Sequence, residues 1–599
     1  MGEFVVHPGL ILIVGAFLVP FLKGNLKSVY VIALPVVAFI AVAMLPVGEF
    51  FQIEFLKGFG DVTLLRADKL SKAFGFIFTI NATAAFLYAF YLKDSQQHVS
   101  ALIYIGSALG SVFAGDLITL YVFWEIMAVA STMLILARRS SQSYGAGLRY
   151  VLVHVFGGLL FLAGIVITVN TSGSIAFDHF NPADQMHAGT WLILIGFLVN
   201  AAAPPFSAWL SDAYPESTVT GGLILSAYTT KTAVYTMIRG FPGWEILIWV
   251  GCIMTVYGII YALLENDMRR ILAYSIINQV GFMVCAVGIG TELALNGAVA
   301  HAFCHIIYKS LLWMSAGAVL YRVGKSKCTD LGGLYKTMPW SLGLGVIGAL
   351  AISAVPLTSG FTSKTMIISE AHHSPSLFWA WLTLEVASAG VFLHAGIKFP
   401  YFVFFAKDKG MRPKEAPRTM IVAMCILALL CIFLGIYPQP LYNILPFPVD
   451  FHPFKFEKVV TQMQLLMFSA LTFFLFLPLL KRTDTIVIDS DFFYRKAGKW
   501  FLQFFDWSLN GINAFAYRLF VKGITTALNG LFNDAPARIA VFVMVPVWAS
   551  TGMNQNLLQE KRGALYNKIR LGTFPIGITA LLAVLLLALL FLFSFRGTA

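Results

Sequence analysis

Seven side chains able to gain or lose charge stand inside stretches otherwise apolar enough to lie in a bilayer. Lys231 occupies the middle of LSAYTTKTAVY, and Glu125 is enclosed by apolar neighbours in TLYVFWEIMAVAS. His301, His305 and Lys309 follow at i, i+4 and i+8 in HAFCHIIYKSLLW, which sets them along one face of a helix. Lys364 closes the stretch AVPLTSGFTSK, and Glu385 lies in a further apolar run. An ionisable group near the bilayer centre costs about 2.5 to 3.5 kcal/mol, so each of these needs a partner or water. A lysine near a helix end escapes by reaching for the headgroups. Lys231 has thirteen residues of its run on one side and eight on the other, which points it inward.

Low dielectric disfavours the charged form of a lysine and a nearby carboxylate restores it, so joining or parting such groups switches proton affinity at a fixed place. A line of them, linked by water and by hydroxyls such as those of TTK, is a proton pathway. Glu125 could instead be hydrogen-bonded to a neighbouring helix, and His301 with His305 could hold zinc. Against zinc, the intervening AFC offers no carboxylate of the metalloprotease kind and Lys309 would repel the metal. The sequence shows neither a glycine-rich phosphate loop nor a nucleophilic triad. No cofactor, no metal and no stand-alone enzyme is expected.

These residues need a membrane frame. Of 599 residues 58% are hydrophobic and only 12% charged, and the mean hydropathy of +0.79 excludes an ordinary soluble protein. About 20 apolar residues cross the hydrocarbon core as a helix, and sixteen such runs follow one another from 9–22 to 572–595. The first lacks a basic flank and a cleavage site, so it reads as a retained helix. The six cysteines are scattered without a CxxC pair and read as buried thiols. Net charge of +12 could suggest nucleic acid, but the basic residues lie in short loops between spans, so the bilayer is the partner implied. Loops after odd-numbered spans carry most of them, which puts the N-terminus outside, KDKGMRPKEAPR (407–418) in the cytoplasm and DHFNPADQMH (178–187) outside.

Two spans carry helix breakers at mid-depth, NAAAPPFSAW (200–209) in the seventh and AVPLTSGFTSK (354–364) in the twelfth. Broken helices paired in two halves of a chain suggest the inverted repeats of a transporter. Beyond the fifteenth span, Arg495, Lys499, Gln503, Asp506, Asn510 and Asn513 recur at steps of three or four among aromatic and aliphatic residues. That pattern is an amphipathic helix, lying on the cytoplasmic interface or packed on the protein's own flank.

LENDMRRILAYSIINQVGF (264–282), HAFCHIIYKSLLWMSAG (301–317), PFSAWLSDAYPE (205–216) and GFTSK (360–364) resemble the antiporter-like subunits shared by Mrp-type cation/proton antiporters, respiratory complex I and membrane-bound hydrogenases. The likeness is greatest to the D-type subunit of the Mrp antiporters, and it covers roughly residues 60–440. It implies an all-α integral membrane fold of about sixteen transmembrane helices: N-terminal helices over 1–98, five-helix repeats over 99–264 and 267–406 with helices 7 and 12 broken, further helices over 417–480, an amphipathic interfacial segment over 491–566 and a last transmembrane helix at 572–595.

It also implies roles. Glu125 matches the family's helix-five carboxylate, Lys231 its central lysine, His305 and Lys309 its helix-eleven relay, and Lys364 the outlet, with His301 and Glu385 as further candidates. One position departs: Asn200 stands where the family has the lysine that pairs with the helix-five glutamate, while Ser207 and Ser211 replace the usual His and Pro. The function implied is the proton-conducting component of a multi-subunit Na⁺/H⁺ antiporter in a bacterial cytoplasmic membrane. Its partners would be other membrane subunits, H⁺ and a monovalent cation, with no nucleic acid. The same fold also serves as the pumping module of a redox-driven complex, and Asn200 raises a third possibility, a non-conducting scaffold.

Overall fold

The structure is a computed structural model describing residues 5–56, 60–183, 186–478, 489–570 and 576–595. Parts of three expected features, residues 184–185 of the 178–187 loop, 479–480 of the fifteenth span and 572–575 of the last span, lie outside the described residues. The chain divides into two units, Met1–Phe492 and Phe493–Ala599.

The first unit begins with α1 (Pro8–Ala16) and α2 (Gly24–Met44). Residues 48–69, left without an element by the apolar-run count, instead form an antiparallel hairpin of β1 (Gly48–Leu56) and β2 (Gly60–Ala67), with Gly48 opposite Ala67. Its alternation of apolar and polar residues is the strand signal that a search for long apolar runs passes over. After α3 (Lys69–Tyr88) come α4 (Ser95–Phe113), α5 (Leu117–Leu136) and α6 (Ser141–Ser172). Two interrupted spans follow, α7 (Ala188–Asn200) with α8 (Ala208–Ala213), and α9 (Val219–Leu225) with α10 (Thr229–Gly240).

A second set of five mirrors this order: α11 (Ile246–Leu264), α12 (Met268–Ile289), α13 (Glu292–Val323), the interrupted pair α14 (Pro339–Ile352) and α15 (Ser359–His373), and α16 (Phe378–Val391), which continues through π-helical turns at Phe392–Lys398 and Tyr401–Phe405. Landmarks repeat between the sets. Asp116 and Asp267 cap α5 and α12 and form isolated antiparallel bridges to Ala176 and Lys327, each just past a 32-residue helix. Those two long helices end on Gly173 and Gly324, left-handed at φ +69° and +71°, where a side chain would be strained. The offset is 151 residues throughout; at the breaks of spans seven and twelve, where Ala202 and Ala354 are left-handed, it is 152.

Helices α12 and α13 are each buried over most of their length, so these two form the centre of the unit. Beyond them lie α17 (Arg418–Ile436), α18 (Gln439–Tyr442) and α19 (Phe456–Leu475). Among the described residues eleven helices are long and apolar enough to cross a membrane, and four shorter apolar ones accompany them. The protein is a multi-pass, all-α integral membrane protein with one added hairpin.

The eighth span corrects the sequence-based expectation of one continuous helix over 218–239. It is cut at Ser226–Tyr228 although no Pro or Gly stands there. Ser226 Oγ turns back onto the Leu223 carbonyl at 2.7 Å, and three threonines crowd the restart at 229–232. A break made by side-chain hydrogen bonds leaves no Pro or Gly to mark it.

The second unit, taken by itself, is helical. It comprises α20 (Asp491–Ala516, of which 493–516 fall here), a π-helical stretch at Tyr517–Ile524, α21 (Thr525–Phe532), α22 (Ala535–Ser550), α23 (Gln555–Arg570) and α24 (Ile576–Phe595). The expected single amphipathic segment over 491–566 is thus four helices, and the run Arg495–Ser550 is apolar enough to count among the eleven. Tyr566 donates to Asp534 at 2.8 Å, tying α23 to the start of α22.

Candidate functional site

Lys231 sits where the eighth span is cut. The freed Thr229 N–H donates to the Tyr104 hydroxyl at 3.0 Å, and the Lys231 ammonium takes the Ser226 carbonyl at 2.8 Å and the Thr230 hydroxyl at 3.0 Å. A charged side chain therefore satisfies a backbone group that the break has stranded. Lys364 does the same in span twelve. Its ammonium lies 3.0 Å from the carbonyl of Ile352, the last residue of α14, and over the Phe282 ring. Both lysines are fully buried, and Lys309 is 1% exposed, so none reaches for headgroups.

Between the two breaks runs α13. His301 Nδ1 is 3.1 Å from Ser363 Oγ, the neighbour of Lys364, and its Nε2 is 3.2 Å from Gln279 Oε1. Tyr308 donates to that same oxygen at 3.1 Å. One turn further, the His305 ring lies 6.4 Å from that of His301 and meets Tyr308 edge-on at 5.3 Å. Among the described residues neither His305 nitrogen nor the Lys309 ammonium has a hydrogen-bond partner, although both residues are buried. The charge of Lys231 bears on His301, His305 and Lys309, and that of Lys364 on both histidines. Lys231, His301, His305, Lys309 and Lys364 are thus gathered around α13 in one buried polar seam. Glu385, half-buried on α16, interacts electrostatically with Lys364.

Glu125 stands apart. Among the described residues no ion pair includes it, and its Oε1, without a partner, lodges against Gly158, where an added Cβ would collide with it. Asn200 is the last residue of α7, fully buried, with neither end of its amide hydrogen-bonded. Nothing bonds it to Glu125.

Three features were passed over from sequence. Tyr150 and His154 stack in α6 with ring centres 3.9 Å apart, and Tyr150 donates to Ser131 Oγ at 2.9 Å. The 151-residue offset to His301 and His305 would have found them. Lys398 is buried with its ammonium 2.7 to 2.8 Å from the carbonyls of Ala262, Leu263 and Glu265, closing the end of α11. A lysine inside the apolar run 378–406 was the available signal. Arg269, also buried, binds the carbonyls of Pro215, Ser217 and Thr218 at 2.6 to 2.9 Å and so fixes the turn between spans seven and eight.

Residues 114–391 match the family described as NADH:quinone oxidoreductase/Mrp antiporter, transmembrane. A probable K⁺/H⁺ antiporter component of Rhizobium meliloti, of the A/B type, is 30% identical over 414 residues, 65% of this chain but only 41% of that relative. A D-type component of a Na⁺/H⁺ antiporter of Alkalihalophilus pseudofirmus is 26% identical over 482 residues, 74% of this chain and 96% of the relative. Among solved structures, a chain of an archaeal membrane-bound sulfane sulfur reductase shares the fold with a TM-score of 0.65 at 22% identity, over 73% of this chain and 95% of that one.

Proposed function

From a chain whose residues 114–391 belong to the transmembrane family of NADH:quinone oxidoreductases and Mrp antiporters, we propose the proton-conducting component of a multi-subunit monovalent-cation/proton antiporter, sodium being the cation favoured. The complex lies in a bacterial cytoplasmic membrane with this chain's N-terminus outside, and its partners are other membrane subunits. One observation carries the reading: three buried lysines and two buried histidines, on three different spans, share a polar seam between two helix breaks. An ammonium and an imidazole without fixed partners must be solvated by water to be tolerated there. Lys231 accepts and releases the proton, His305 and Lys309 pass it along α13, and His301 with Ser363 leads it to Lys364 and the outlet. Glu125, lacking a cation opposite, holds a proton or an ion itself. Five-helix frames with broken helices in both halves support alternating opening on the two sides.

The likeness to the sulfane sulfur reductase chain supports a second reading, the pumping module of a redox-driven complex. Co-purification from the native membrane separates the two, since redox subunits in the preparation would favour the second. The third, a non-conducting scaffold, rests on Asn200. In vesicles holding the whole complex, Lys231→Ala is expected to abolish cation-driven proton movement; transport at the wild-type rate would remove the relay.

A further inference from the structure

Just before α20, within the first unit, Asp489 turns its carboxylate inward. Oδ2 accepts from the Tyr274 hydroxyl at 2.6 Å and the Ser211 hydroxyl at 3.4 Å, and Oδ1 accepts from the Tyr257 hydroxyl and the Ser490 N–H. The residue is 7% exposed, and among the described residues no lysine or arginine pairs with it. Two more hydroxyls, Ser207 Oγ and Ser490 Oγ, border that of Tyr257; both oxygens are buried and, among the described residues, neither is within full hydrogen-bond geometry of a partner. Ser207 and Ser211 belong to the break of span seven and are the two positions where the resembled pattern carries His and Pro.

A carboxylate with five hydroxyls around it is a set of hard oxygens, the donors that alkali and alkaline-earth ions take. Interrupted spans supply such oxygens where membrane proteins bind coupling ions. One negative charge, with no second carboxylate on the cluster among the described residues, matches a monovalent ion and not a divalent one. The geometry points to a site for a sodium-sized alkali cation formed by Asp489, Ser207, Ser211, Tyr257, Tyr274 and Ser490. Rotation about their C–O bonds turns the hydroxyl lone pairs toward the ion while the carboxylate balances its charge. Other charged or titratable groups close by are Asp212, paired with Arg149 at 2.6 and 3.1 Å, Arg270 of α12, and Tyr261 stacked on Tyr274. The inference rests on the antiport reading and names where its cation binds.

The test is thermal unfolding of the purified full-length complex in NaCl against choline chloride at equal ionic strength. Sodium is expected to raise the melting temperature of the wild type, the effect to vanish in Asp489→Asn, and the half-effective sodium concentration to rise on the order of tenfold in Ser207→Ala. Ser207→Ala removes an oxygen without full hydrogen-bond geometry to a partner among the described residues, so it keeps the test valid if Asp489→Asn fails to assemble. Equal melting of the wild type in the two salts, or a full sodium effect at the wild-type concentration in either variant, overturns the site. Lys231→Ala separates the two ideas: it should keep the sodium effect while losing transport. Transport that survives there counts against the relay and leaves the cation site standing.

Discussion

The two five-helix halves share a frame and differ in the charges it carries. At an offset of 151 residues, Tyr150, His154 and Gly158 of α6 stand where α13 has His301, His305 and Lys309. In the second half the line runs imidazole, imidazole, ammonium, beside the ammonium of Lys364. In the first it runs phenol, imidazole and then a glycine, whose empty side is taken by the Glu125 carboxylate from α5. At the break the contrast repeats: Lys364, at an offset of 152, has as its counterpart Asp212, held by Arg149. Capping aspartates, bridges and left-handed glycines satisfy backbone whatever the side chains in the seam are. Frame and titratable set are therefore separable, and only the second half carries an uninterrupted line of basic side chains along its long helix.

The largest expected effect tests that asymmetry directly. Lys309→Ala should lower proton transport in vesicles on the order of 100-fold, whereas His154→Ala in the first half should keep most of it. Equal losses would make the halves functionally alike. A smaller effect is expected from Asn200→Lys, which offers the first half the cation it lacks and should displace the pH dependence of transport. An unchanged profile would mean that Asn200 lies off the path. The smallest concerns the frame. Asp116→Ala and Asp267→Ala should each cost about 1 kcal/mol in thermal unfolding through the lost cap. Asp116→Ala should cost more: each carboxylate also accepts a hydroxyl, from Thr119 and Ser326 respectively, but only Asp116 accepts from the hairpin, through the Thr63 N–H at 2.8 Å. Identical losses would mean that the hairpin adds nothing to the first half.

The long apolar runs, the breaks at Pro204–Pro205 and Pro356, and the placing of His301, His305 and Lys309 on one face were legible because each follows from local periodicity or from residues with restricted backbones. What escaped depends on partners far away in sequence. The cut before Lys231 comes with the Ser226 hydroxyl on the Leu223 carbonyl and with the Thr229 N–H and hydroxyl on Tyr104, 125 residues away, a partner that no local pattern announces. The hairpin is too short and too polar on one face to register in a count of membrane spans. From sequence Glu125 lacks the lysine that pairs with it in the resembled family, Asn200 standing in that place. Its actual neighbour, Gly158, is a residue whose lack of side chain becomes meaningful only when α5 lies against α6. The Asp489 cluster draws on three separate spans and a segment 215 residues beyond Tyr274.

Lys398 joins the last span of the second half to the first one of that half, by three short bonds from a single ammonium. In the earlier half the tie between last and first spans lies elsewhere: the Thr229 N–H and hydroxyl of α10 meet the Tyr104 hydroxyl in the middle of α4. One bundle is therefore a belt buckled at its rim by an ammonium, and the other is pinned at its waist by a phenol. Each should tilt as a body about its own fastening.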